Sequence, residues 1–209
     1  MGNIDSYTHT RGESVYLDDI PEIAGTLNAA VYGSPEAHGI IKQLHLDDAL
    51  AVKGVVKILT NKDIPGKNQI GGIVKDEPLL ADGVVHFNGM PVAIVVAENA
   101  NAAHEAVKKI KIDIEPLPVV TLARVAQQNG ALIVPPRTFK IGDSQSAFAQ
   151  CKYIFEVIAE TNGQEHLYIE TQGAYAIPVE NGAIKIYSST QGPTAVQKHC
   201  AEVLDVPMH

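Results

Sequence analysis

Within residues 160–171, which read ETNGQEHLYIET, Gly163, Gln164, Glu165 and His166 bring an amide, an acid and an imidazole side by side. Three readings suit that set: a metal or acid–base site, a ligand-binding turn, or a polar corner with no chemistry. Glu165, His166 and Glu170 could share a metal only if the chain bends sharply between them. The amide is different in kind. It donates to one atom and accepts from another while staying neutral. Gln164 can therefore orient a charged or oxygen-bearing ligand without altering its charge or proton count. Gly163 lets backbone and ligand approach closely. Against this stands a polar turn whose amide bonds only to backbone.

Other chemistries find weaker support. The eight histidines, at 9, 38, 45, 86, 104, 166, 199 and 209, are scattered, and neither an H-E-x-x-H pair nor a Cys/His cluster occurs. The two cysteines, Cys151 and Cys200, belong to no C-x-x-C motif, so iron–sulfur and structural zinc sites are not expected in this chain. Ser188, Ser189 and Thr190 offer hydroxyls without a G-x-S-x-G elbow. Gly71 and Gly72 lie outside any phosphate-cradling glycine pattern.

The motif needs elements to hold it. TLNAAVY (26–32) and GIIKQLHL (39–46) read as strands, DDALAVKG (47–54) as a short helix with Asp47 as N-cap and Gly54 as terminator, and VVKIL (55–59) as a third strand. Residues 61–78 carry too many Pro, Gly and Asn for a long element and read as loop. MPVAIVVAE (90–98) is the most apolar tract and predicts a buried strand. Asn99 then caps a helix whose Ala103, Ala106, Val107 and Ile110 share a face, and KIDIEPL (111–117) alternates as a strand. Strand, helix and strand in succession predict a crossover that packs the helix on a sheet.

TLARVAQQNG (121–130) predicts a short helix, and Pro135 and Pro136 block regular structure in the connector that follows. A boundary falls there. Beyond it come a capped helix (143–151), a long strand (152–162), two strands flanking Glu180, Asn181 and Gly182 in a hairpin, and a helix opened by Pro193 and running through Leu204. This second part, three strands and two helices, looks unfinished: so small a sheet leaves apolar surface uncovered.

Composition bounds the rest. The 209 residues suffice for one large domain or two small ones, with 45% hydrophobic and 19% charged residues, a globular balance. A net charge of -8 argues against a nucleic-acid partner, since the densest basic run is only Lys108, Lys109 and Lys111. Residues 1–15 are polar, and no apolar run approaches membrane-spanning length, so no signal peptide and no membrane partner are expected. Low cysteine use fits a reducing, cytoplasmic setting.

Five tracts, in order, resemble the molybdenum-hydroxylase family of xanthine dehydrogenases and aldehyde oxidases, and lean to the xanthine dehydrogenase branch. They are GESVYLDDIP (12–21), the run from AAVYGSPEAHG to VKDEPLLA (29–81), NGMPVAIVVAENANAAHEAVKKIKIDIEPLP (88–118), GQEHLYIETQGAYAIP (163–178) and STQGPTAVQKHCAEVLDVP (189–207). The resemblance implies an α+β chain. An α/β hammerhead domain spans 1–130 (core about 12–118), a connector 131–142, and an incomplete, truncated start of the molybdopterin-binding domain 143–209.

It implies the N-terminal part of a molybdenum subunit, a fragment inactive by itself, of an enzyme of purine catabolism that hydroxylates hypoxanthine to xanthine to urate. The oxygen would derive from water, and electrons would pass through 2Fe-2S and FAD, carried on other segments or subunits, to NAD. Its partners would be the remainder of that subunit, the Fe–S/FAD part and the purine, in an oligomeric enzyme. One family site residue carries over onto this sequence: the glutamine of the GQEH motif, Gln164, beside the molybdenum–molybdopterin cofactor, with no ligand to the metal supplied. Gly163, Glu165, His166 and Glu170 then read as supports that bond backbone and fix the turn. No catalytic set is complete in the chain. The alternatives are an aldehyde oxidase or other aza-heterocycle hydroxylase, and a non-catalytic binding or assembly module.

Overall fold

A computed structural model describes residues 5–208; the first four residues and His209, one of the eight histidines, lie outside them. The elements in order are α1 (Ser6–Arg11), β1 (Asn28–Gly33), β2 (Gly39–His45), α2 (Asp47–Leu50), β3 (Val55–Thr60), β4 (Val84–Val85), β5 (Pro91–Ala97), α3 (Ala100–Val107), β6 (Lys111–Pro116), α4 (Ala123–Gln128), α5 (Ser144–Ala149), β7 (Ala174–Pro178), β8 (Ile184–Ser188) and α6 (Pro193–Leu204). By compactness the chain divides into a unit made of residues 5–119 with 170–208, and a unit of residues 120–169.

The larger unit is organised by β5. Its sequence PVAIVVA lacks polar side chains, so it can be covered on both faces, and Val92, Ala93, Val95 and Ala97 are buried. Antiparallel neighbours flank it in the order β1-β5-β3. Helix α3 lies on this sheet. Asn99 caps it through Oδ1, which accepts the Ala102 N–H at 2.9 Å, and the facing residues Ala102, Ala103 and Ala106 are buried. Alanine there keeps helix and sheet close, and Ala30, Ile58, Val95 and Ile110 complete the core. Full burial of a side chain such as Val95 contributes about 1.5–3 kcal/mol.

A second antiparallel sheet, β4-β2-β6, closes over a smaller cluster of Ala81, Val85, Met90 and Val92, with Ile112 and Ile114 of β6 packed against it. The expected strand–helix–strand tract is therefore present, but it is not a crossover within one sheet. β5 and β6 belong to different sheets and every pairing is antiparallel. The alternating isoleucines of β6 find their apolar neighbours over the second cluster, whereas both long edges of β5 are already taken by β1 and β3. Two smaller corrections are local. The α2 N-cap is Leu46, with Asp47 as the first helical residue, and the helix ends at Leu50, ahead of Gly54 in its left-handed conformation at φ 92°.

The same unit holds β7 and β8, a hairpin in which Asn181 (φ 61°) and Gly182 (φ 74°) make the left-handed turn that a tight antiparallel connection requires. Pro193 stands in the first turn of α6, where a missing N–H costs nothing. An open groove of about 750 Å³ runs between β8 and α6, lined by Ile184, Ile186, Val196, Cys200, Leu204 and Met208 among others. The apolar surface expected beside a small sheet is thus present.

In the unit of residues 120–169, α4 and α5 form as expected and Asp143 caps α5. The long strand expected over 152–162 does not form. Among the described residues no strand pairs with that tract, and Phe155 and Val157 are 88% and 86% exposed. Its alternation suits a strand, but a strand exists only where a neighbour accepts and donates its backbone hydrogen bonds. The second part therefore has two strands, not three.

Candidate functional site

The GQEH motif lies in the unit of residues 120–169. Upstream of it Asp143 Oδ1 accepts from the N–H groups of Gln145 and Ser146 at 3.1 and 3.2 Å, and Oδ2 accepts the Ser146 hydroxyl at 2.6 Å. That hydroxyl first, and the helix N–H groups after it, hold the Asp143 carboxyl below the usual carboxylate range. Arg124 of α4 pairs with Glu160 at 3.0 Å, an exposed ion pair just ahead of the motif that contributes little stability.

Gly163, Gln164, Glu165 and His166 are all exposed and lie outside regular structure. Glu165 Oε1 accepts the His166 N–H at 3.0 Å, so this carboxylate is turned onto local backbone. The Gln164 amide has no hydrogen-bond partner among the described residues. A Cβ added at Gly163 would meet nothing within 4 Å, which leaves the approach to the Gln164 backbone open. Leu167 follows at φ 49°, in the left-handed region, where a side chain other than glycine costs about 1–2 kcal/mol.

Glu170 belongs to the other unit. Its Oε1 accepts the backbone N–H of Leu17, so its carboxylate is committed to the opening segment of the chain. The structure thus brings Gly163, Gln164, Glu165 and His166 together, and gives Glu170 a separate partner.

The remaining sequence candidates are mostly spoken for. Ser189 Oγ accepts the Gly173 N–H at 3.0 Å and closes the base of the hairpin. His45 Nε2 meets Asp113 Oδ2 at 2.8 Å, and His38 Nδ1 lies 2.7 Å from the Pro118 carbonyl. Among the described residues no three His, Cys, Asp or Glu side chains converge as a metal site. His199 Nδ1 is enclosed without a hydrogen bond, 3.9 Å from Glu202. Within the 61–78 loop, Asn68 hydrogen-bonds the Leu80 backbone. The signal available there was an amide between two structure-breaking stretches.

An exposed, neutral amide with both hydrogen-bonding ends free fits an anionic, oxygen-rich group that needs a donor and tolerates no added charge. In fold, the chain is a hammerhead domain followed by the start of a molybdopterin-binding domain. Residues 11–118 match the family model described as "Aldehyde oxidase and xanthine dehydrogenase, a/b hammerhead domain", and residues 125–209 match "Molybdopterin cofactor-binding domain". The chain belongs to the aldehyde oxidase and xanthine dehydrogenase family.

Among its relatives, xanthine dehydrogenase of Emericella nidulans is 34% identical over 98% of this chain and 15% of that protein. Aldehyde oxidase 2 of Rattus norvegicus is 36% identical over 99% of this chain and 15% of that protein. The solved aldehyde oxidoreductase of Desulfovibrio gigas superposes with a TM-score of 0.78 at 27% identity, covering 98% of this chain and 25% of its own. The chain therefore spans about 15% of the length of the curated relatives it matches.

Proposed function

We propose that the chain is the N-terminal part of the molybdenum subunit of a xanthine dehydrogenase, and that Gln164 forms one wall of its cofactor site. The observation that carries this reading is the order of the two family segments, 11–118 and 125–209, with the unpartnered Gln164 amide inside the second. On this reading residues 1–130 are the hammerhead part, 131–142 the connector and 143–209 the start of the cofactor-binding part.

The molybdenum–molybdopterin group, when bound, supplies the two-electron chemistry that hydroxylates a purine with oxygen from water. Gln164 would supply a neutral donor to an oxygen of that group, orienting it and dispersing charge there. Gly163 leaves room for the approach. Glu165, through the His166 N–H, holds the turn that presents the amide. The rest of the subunit, and 2Fe-2S and FAD centres leading to NAD, would lie outside this chain. So would the contacts of an oligomeric enzyme, and the chain alone would be inactive. Cys151 and Cys200 are both free thiols, which supports a cytoplasmic setting. No helix among the described residues is long and apolar enough to cross a membrane.

The test is Gln164→Ala in the complete enzyme, assayed with hypoxanthine. Turnover should fall about 10²–10³-fold at unchanged molybdenum content. Unchanged turnover at full metal loading would overturn the role. The 36% identity to rat aldehyde oxidase 2 favours a second reading, an aldehyde-oxidising branch of the same family. Turnover of an aldehyde in place of hypoxanthine by the unaltered enzyme would select it.

A further inference from the structure

Residues 61–78 read from the sequence as loop, yet the middle of this tract is fastened at two places. Asn68 Oδ1 accepts the Leu80 N–H at 2.9 Å, and its Nδ2 donates to the Leu80 carbonyl at 2.8 Å. The side-chain amide thereby pairs with backbone as an adjacent strand would. Leu80 is 2% exposed, so this end is anchored in buried structure.

Just before Asn68 the chain meets α6. The Gly66 N–H donates to the Val203 carbonyl at 2.9 Å, and the Lys67 N–H donates to the Glu202 carbonyl at 2.9 Å. Both carbonyls belong to the last turn of α6, where a helix has no partners of its own to offer. The Lys67 ammonium stands 3.6 Å from the Glu202 carboxylate, and a cation is favoured at that end of a helix. The approach is too close for any side chain at position 66: an added Cβ would collide with the Glu202 carbonyl oxygen, a backbone atom that cannot swing aside.

We infer that residues 66–68 form a bracket that ties the C-terminal turn of α6 to buried hammerhead structure, and that Gly66 and Asn68 are the two side-chain choices on which it depends. Gly66 permits the contact and Asn68 holds the contacting backbone in place. The bracket joins the two family segments, since its own residues lie within 11–118 and α6 lies within 125–209. The turn it holds is the one that carries Ala201, Leu204 and Val206, which line the groove beside β8. Lys67 is secondary: its own side chain is largely exposed, and the bond from its backbone survives any side chain but proline's.

Residue-resolved amide hydrogen exchange on the 209-residue chain tests the bracket. In the unaltered chain the Gly66 and Lys67 amides should exchange more than about tenfold slower than open-loop amides. Asn68→Ala and Gly66→Ala should each speed exchange across residues 201–205 by about tenfold or more, while the Val95 and Ala106 amides keep their protection. Lys67→Ala should leave 201–205 within about threefold of the unaltered chain. Asn68 makes no hydrogen bond to α6, so its effect there reports transmission through the bracket. Loop-like exchange at Gly66 and Lys67 in the unaltered chain overturns the inference. So does Asn68→Ala with unchanged exchange at 201–205, and these two results decide the matter even if Gly66→Ala does not fold.

Discussion

The Glu170 carboxylate accepts the backbone N–H of Leu17 at 2.5 Å, across 153 positions of sequence. The contact is part-buried, and Gly173 nearby leaves space that the Leu17 side chain occupies. A backbone donor held by a carboxylate loses a charged acceptor when that side chain is removed. Glu170→Ala should lower unfolding stability by about 1.5–3 kcal/mol, read as a lower urea midpoint at unchanged slope. Glu170→Gln retains a carbonyl acceptor and should recover part of the loss.

Asn99 is the only side-chain cap on α3, and its Oδ1 serves the Ala102 N–H. Asn99→Ala leaves that donor to water while the helix stays packed. The expected cost is about 1 kcal/mol, measured by the same titration. Asn99→Asp should cost less, because the acceptor is kept and a negative charge suits a helix N-terminus.

Ala106 is fully buried where α3 meets the first sheet. A larger side chain there must push helix and sheet apart. Ala106→Leu should destabilise by about 1–3 kcal/mol, despite adding apolar surface. A rise in thermal midpoint for this variant would contradict the packing described here.

Asp63 accepts the Thr60 N–H at 2.9 Å and the Thr60 hydroxyl at 3.1 Å, and Lys57 stands 3.2 Å away. The Thr60 backbone bond first, then Lys57, hold its carboxyl below the usual range. A depressed carboxyl stabilises the fold above the pKa it has when unfolded, and that contribution is lost as pH falls through the folded value. The stability gap between the unaltered chain and Asp63→Asn should therefore be present at neutral pH and shrink in acid below the ordinary carboxylate range. A gap that widened on acidification would reverse the sign of this account.

Gln164 is exposed and unpartnered among the described residues. Gln164→Ala in the chain alone should change stability by less than about 0.5 kcal/mol. Set beside the expected loss of turnover in the complete enzyme, this separates a ligand-facing role from a structural one.

Much of the fold was legible because it is written in short windows. The unbroken apolar run of β5, the Asn99 cap with its alanine face, and the Glu180, Asn181 and Gly182 turn each carry their instruction within a few residues. The GQEH tract was legible as a candidate for the same reason, since an amide, an acid and an imidazole in succession are visible without a fold. Where reading failed, the missing information was a partner. Tyr153, Phe155 and Val157 have the composition of a strand, but no described strand pairs with their backbone. β6 was read correctly as a strand and placed in the wrong sheet, because alternation names a face and not a neighbour.

By itself, then, the sequence determined most of the segments that form helix or strand, the tract 152–162 excepted, and the family to which the chain belongs. It also put Gln164 forward as the candidate for holding an oxygen-rich group. Only the tertiary structure decided that Glu170 serves Leu17, that the strands on either side of α3 join different antiparallel sheets, and that Asn68 and Gly66 connect Leu80 to the end of α6. The reason is physical: local conformation follows from a residue and its near neighbours, whereas a hydrogen bond or a steric limit between residues 66 and 202 exists only once the chain has brought them together.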